Sequence, residues 1–182
     1  MGAVRFAYAD PPYLGCCKLY DHRHEEPYGC WDDPASHKAL IEYLVDEFPD
    51  GWALSLSTPS LRTILPMCPD EVRVGSWVKT FCAFKRGVRP AYAWEPVIFY
   101  GGRNPGFGTP HPPPAKGGEQ TTPKDFLAEP ITLQKGLTGA KPVRFCWWVL
   151  DLLNYQVGDE IVDVFPGTGV LIAVAAQGRL VV

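Results

Sequence analysis

Two short runs near opposite ends of the chain combine side chains suited to chemistry on an amine. Asp10-Pro11-Pro12-Tyr13 follows the apolar run Val4-Arg5-Phe6-Ala7-Tyr8-Ala9. Asp10 supplies a carboxylate acceptor, and the carbonyl of Pro11 or Pro12 supplies a second. Neither proline has an N–H, so this turn presents acceptors rather than donors. Such a set would hold the N–H groups of a ring-conjugated amine and draw its nitrogen toward tetrahedral geometry, while the Tyr13 ring offers a face for stacking. The second run, Pro166-Gly167-Thr168-Gly169, follows Glu160-Ile161-Val162-Asp163-Val164-Phe165. Glycines in a strand-to-helix turn admit a ligand to backbone N–H groups, and the helix N-terminus favours a carboxylate. Asp163 is placed to face a positive amino group. A glycine turn alone is a weak signal; its partner motif gives it weight.

The elements between must bring the two runs together. Asp32-Asp33-Pro34 starts a helix, with an acidic cap and a first-turn proline. Leu40, Ile41, Leu44, Val45 and Phe48 share one of its faces. A buried strand is expected at Trp52–Ser57 and a helix from Thr58-Pro59 with Leu61, Ile64 and Leu65 inward. One or two strands are expected within Glu71–Phe84, and another from Ala93 to Tyr100. This β-α-β-α-β alternation predicts an α/β fold with a mostly parallel twisted sheet and helices on both faces. Residues 101–140 interrupt the pattern with turn formers and few core candidates. Order resumes with an apolar helix after Lys141-Pro142, the strand carrying Asp163, a helix from Gly169 to Gln177 and a strand beginning at Arg179.

The 182 residues suit a single domain. No apolar stretch is long enough to span a bilayer, and the N-terminus lacks a signal peptide's apolar centre, so a cytoplasmic protein is expected. Net charge is −3, which announces no nucleic acid globally. Residues 1–50 hold four Lys/Arg against ten Asp/Glu, whereas residues 79–103 hold Lys79, Lys85, Arg86, Arg89 and Arg103 against Glu95 alone. That second stretch is compatible with phosphate contact.

The tetrapeptide Asp10-Pro11-Pro12-Tyr13 after a strand, followed much later by Asp163-Val164-Phe165-Pro166-Gly167-Thr168-Gly169, resembles the signature of the S-adenosylmethionine-dependent DNA adenine-N6 methyltransferases in permuted, β-type order. Trp94-Glu95-Pro96-Val97-Ile98-Phe99 and Lys141-Pro142 look like segments of phage-encoded members. The resemblance implies a Rossmann-like methyltransferase fold and methyl transfer to adenine N6 in double-stranded DNA, with the base flipped out. Asp10, Pro11, Pro12 and Tyr13 would be catalytic; Asp163, Phe165, Gly167, Thr168, Gly169 and Lys141 would hold the cofactor, with no metal. Residues 101–140 would serve as a target-recognition insert in a single domain spanning 1–182, acting as a monomer or homodimer in the cytoplasm, that of the host if phage-encoded. Rival readings are a catalytically weak or inactive nucleic-acid-binding derivative, and methylation of RNA or another amine. Val164 departs from the family's usual proline. The family also places an acidic residue for the cofactor ribose beyond the strand that Arg179 begins, and the sequence given ends at Val182, so a missing edge strand and weakened cofactor binding are expected.

Other candidates carry less. Cys16, Cys17, His22, His24 and Cys30 lack the paired spacing of a zinc site, and the six cysteines do not form a secreted disulfide pattern. Trp77, Trp94 and Tyr100 read as core or pocket lining, and Trp147-Trp148 as core plus one groove-facing ring. Lys79 reads as solvated surface, with contact to DNA or cofactor as the alternative. Because stacking needs only a ring, Tyr13→Phe is expected to be tolerated better than Tyr13→Ala.

Overall fold

The computed structural model describes residues 4–19, 31–81, 87–103, 123–132 and 140–177. In chain order the elements are β1 (Arg5–Ala9), α1 (Pro34–Glu47), β2 (Gly51–Ser55), α2 (Thr58–Ile64), β3 (Arg73–Val78), β4 (Trp94–Gly101), β5 (Phe126–Ala128), α3 (Val143–Leu152), β6 (Glu160–Asp163) and α4 (Val170–Gln177). The strands form one sheet in the order β5-β3-β4-β2-β1-β6.

Alternating side chains divide the core between the two faces of this sheet. Phe6 and Tyr8 of β1, Ala53 of β2, and Val97 and Phe99 of β4 pack with Phe145, Trp148 and Val149 of α3 and Leu171 and Val174 of α4. Ala7, Ala9, Trp52, Leu54 and Ile98 face the other way, against Leu40, Ile41 and Leu44 of α1 and Ile64 of α2. Helices therefore cover both faces, as the sequence predicts. The α1 start is the expected one: the Asp33 carboxylate accepts from the Ala35 N–H at 2.9 Å, and Pro34 opens the first turn.

Strand directions refine the expectation. β1 runs parallel to β2 and β6, and β3 runs parallel to β5. β4 lies antiparallel to both β2 and β3. Among the described strands β4 alone is reversed, and among the described residues no helix stands between β3 and β4. Its reversal carries Trp94 and Glu95, at its start, to the edge where the other strands end.

The expected insert at 101–140 is not wholly outside the sheet. Gly101 is the last residue of β4, paired with Gly51, and Phe126–Ala128 form β5 on the edge beside β3. Three residues, two of them exposed, are too short a strand to show periodicity. Trp94 is 38% exposed rather than core, whereas Trp77 is buried. Of the remaining expectations, those on His22, His24, Cys30, Lys85, Arg86, residues 104–122 and the strand from Arg179 lie outside the described residues. Among the described residues no group of three His, Cys, Asp or Glu is arranged to hold a metal, and no helix is long and apolar enough to cross a membrane.

The amino edge of the sheet is held by polar contacts. Asp159 accepts from the Val4 N–H at 3.2 Å and from the Gln156 N–H at 2.9 Å, and pairs with Arg103, both of these side chains being largely buried. The Arg103 N–H donates to the Leu153 carbonyl, and Asn154 donates to that of Arg103. The chain leaving β4 is thus fastened beneath the α3–β6 connection.

Candidate active site

At the carboxyl edge, neighbouring strands bring the two sequence motifs together. Tyr8 of β1 pairs with Asp163 of β6, so Asp10 lies just past one strand end and the glycine turn just past the next. Pro11 and Pro12 are buried, and Tyr13 is half-buried. In an α/β sheet, ligands bind beyond such carboxyl ends.

The Tyr13 hydroxyl is the hub of a polar cluster. It lies 3.1 Å from Asp10 Oδ1 and 3.0 Å from Glu95 Oε2, donating to one at a time, and accepts from Lys141 Nζ at 2.9 Å. The same Nζ lies 3.0 Å from Asp10 Oδ1 and 3.4 Å from Glu95 Oε2. Glu95 Oε1 pairs with Lys79. The rings of Tyr13, Trp77 and Phe145 surround the Lys141 ammonium at 5.4, 5.7 and 5.6 Å from their centres, within the range of cation–π attraction.

The two carboxylates respond oppositely to this setting. Burial raises the pKa of Asp10, and the charge of Glu95 adds to the rise, against the pull of Lys141. Burial also pushes Glu95 upward, but Lys141 and Lys79 together hold it below the usual carboxylate range. Two ammoniums beside one carboxylate outweigh its desolvation.

The second motif has a different character. Burial pushes Asp163 up to about 6, a rise that the Phe165 N–H opposes by hydrogen bonding and the charge of Asp10 reinforces. Its Oδ1 is buried and finds no hydrogen-bond partner among the described residues. Gly167 and Gly169 take φ of +47° and +69°, left-handed values that favour glycine, and a Cβ on Gly169 would project into open space. Thr168 is exposed. Phe165 packs edge-on against Trp31, with ring centres 5.1 Å apart, so it also serves the core.

Several placements differ from the sequence reading. Lys141, assigned there to the cofactor half, sits against Asp10 and Tyr13. Lys79 is not solvated surface: its side chain is 14% exposed and committed to Glu95. Arg103 is likewise paired with Asp159, so of the three described cations in residues 79–103, Lys79 and Arg103 are committed to carboxylates in the fold. Glu95 was missed as a site residue. Its signal was an acid inside the apolar run Trp94–Tyr100, where an unpaired charge would be costly.

The fold is the Rossmann-like fold of methyltransferases. The chain is similar to the structure of the M1.HpyAVI–SAM complex, with a TM-score of 0.55 and 15% identity, covering 97% of this chain and 78% of that one. It is equally similar to TTHA0409 of Thermus thermophilus, described as a DNA modification methylase, with the same identity, coverage and TM-score. TTHA0409 complexed with S-adenosyl-L-methionine gives 0.54 at the same identity and coverage. At this identity the likeness establishes the fold. No family model and no curated protein matches the sequence.

Proposed function

We propose that this chain transfers a methyl group from S-adenosylmethionine to the N6 amino group of adenine in DNA. The observation that carries the reading is the placement of Asp10-Pro11-Pro12-Tyr13 and of Asp163 with its glycine turn at the ends of adjacent strands. The similarity to M1.HpyAVI and TTHA0409, both seen with S-adenosylmethionine, supports it.

The residues suit the cofactor. The unpartnered Asp163 Oδ1 is an acceptor for its amino group, and the open turn at Gly167, Thr168 and Gly169 leads into α4, whose N-terminus favours its carboxylate. When bound, the cofactor supplies an electrophilic methyl group on a sulfonium leaving group. Asp10 and a proline carbonyl accept the N–H groups of the target amine, which orients its lone pair. The Tyr13 ring stacks on the base. Because β5 ends at the same edge as β3, the part of the stretch 101–140 that follows it would contribute to target recognition; double-stranded DNA and a monomer or homodimer complete the reading.

Tritiated methyl transfer into unmethylated DNA tests the proposal, with nucleoside analysis to separate N6-methyladenine from N4-methylcytosine and RNA as a parallel substrate. Asp10→Ala is expected to lower the rate by at least about 100-fold, the scale of losing one positioned group, while calorimetry finds cofactor affinity nearly unchanged. Full activity in that variant would remove Asp10 from the chemistry.

A further inference from the structure

Lys141 sits on groups that the proposed reaction needs for its target. Its Nζ is 3.0 Å from Asp10 Oδ1, 2.9 Å from the Tyr13 hydroxyl and 5.4 Å from the centre of the Tyr13 ring. Asp10 is the acceptor assigned to the target amine and Tyr13 the ring assigned to its base. A lysine from just before α3 therefore already engages both.

An ammonium is the stronger partner for a carboxylate. Both donors would make a charge-assisted bond to the carboxylate, but the ammonium adds the attraction of an ion pair, which a neutral arylamine lacks. A neutral base cannot win Asp10 from Lys141 by affinity alone. Stranding a nearly buried ammonium without a counter-charge is also costly; the Lys141 side chain is only 11% exposed. The site needs a second place for that cation.

Glu95 provides one. Its Oε2 lies 3.4 Å from the same Nζ and 3.0 Å from the Tyr13 hydroxyl. Lys79 holds Oε1 of the same carboxylate, fixing Glu95 where it stands. A movement shorter than a bond length brings Lys141 fully onto Glu95, still beside the Trp77 and Phe145 rings.

Building on the functional reading above, we propose that Lys141 covers Asp10 while the target is absent and passes to Glu95 when the target amine arrives. Glu95 is then a positioning residue that sets target affinity. No bond or proton changes hands: two carboxylates and two ammoniums remain, and the neutral amine takes the vacated face of Asp10.

The handover is tested with unmethylated DNA at alkaline pH, which favours the ionised form of Asp10 against the upward pull of burial. Glu95→Gln should raise KM for DNA by about tenfold, the loss of one charged contact, with the calorimetric Kd for S-adenosylmethionine unchanged. Adding Lys141→Met should return KM toward the wild-type value, because no ammonium then competes for Asp10. Adding Lys79→Met should not. A wild-type KM in Glu95→Gln would overturn the proposal, as would equal rescue by Lys79→Met. A second measurement needs no turnover: the Lys141 ammonium signal in proton–nitrogen NMR, identified by its loss in Lys141→Met, should persist in Asp10→Asn and vanish in Asp10→Asn/Glu95→Gln. Its loss in Asp10→Asn alone would show that Glu95 cannot hold the cation and would overturn the handover. A wild-type chain that binds S-adenosylmethionine but methylates no nucleic acid would instead overturn the functional reading, leaving the NMR result to decide on Glu95.

Discussion

Tyr13 does more than offer a ring. With its hydroxyl bonded among Asp10, Glu95 and Lys141, Tyr13→Phe keeps stacking yet removes the atom through which those three groups are spaced. The easy tolerance expected from stacking alone gives way to a loss of about tenfold or more in single-turnover methylation, the scale of a hydrogen bond to a charged group at about 1.5–3 kcal/mol; wild-type rates in that variant would contradict the hub. Asp163 sets a pH dependence of its own. Its folded pKa of about 6 lies above the ordinary 3.8, so between those values the folded chain keeps a proton that the unfolded chain has lost. The contribution of Asp163 to the stability of the free protein therefore rises as pH falls from about 6 toward 3.8, the reverse of a salt-bridged carboxylate. In thermal unfolding the wild type should gain stability relative to Asp163→Asn over that fall in pH, and Asp163→Asn should be the more stable of the two near neutral pH. Cofactor affinity should move the other way, falling as pH drops through about 6, because a protonated Asp163 no longer faces the ligand's ammonium with charge. Calorimetry that found it flat across that range would separate Asp163 from cofactor binding.

At the scale of elements, β2 and β4 pair so closely at one end that side chains are excluded. Gly51 and Gly101 face each other across the strands, and Gly101 takes φ of +63°. A Cβ there would meet the Asp50 carbonyl at 2.6 Å and the Gly51 Cα at 3.0 Å. Gly101→Ala should cost about 2–5 kcal/mol, combining left-handed strain of about 1–2 with overpacking of about 1–3, read as a lower urea midpoint. Much of this level was legible in the sequence. Asp33-Pro34 and the spacing of Leu40, Ile41, Leu44 and Phe48 located α1, and apolar runs located β1, β2, β4 and β6. The direction of β4 was not legible, because alternation along a strand is the same read either way. β5 was hidden by its brevity, and the pairing of Lys79 with Glu95 by a separation that only the folded β3–β4 pair closes. Both motifs were read from their residues, whereas the cluster joining Asp10 to Glu95 and Lys141 depends on three segments far apart in the chain.

The whole molecule divides its labour between the two edges of one sheet. Carboxyl ends carry Asp10 and Asp163, joined there by the start of the reversed β4. Amino ends carry the fastening of Val4, Arg103, Gln156 and Asp159. Because β4 alone is reversed among the described strands, the chain leaves it at Gly101 and reaches Arg103 on the fastened edge, whereas β5 starts part-way across the sheet with Phe126 beside Ser76, the Ser76 N–H bonded to the Asp125 carbonyl and the Trp148 indole to that of Lys124. Of the two described ends of the proline-rich stretch at 104–122, Arg103 is therefore anchored on the side away from the chemistry, whereas residues 123–125 lead into a strand whose Leu127 is level with Trp77 and Glu95. For protein engineering this offers a splice point: a fluorescent module joined directly after Arg103 would be attached at the far side of the sheet. Such a fusion should keep its S-adenosylmethionine affinity by calorimetry, whereas the same module placed within 133–139, next to Lys141, should abolish methyl transfer.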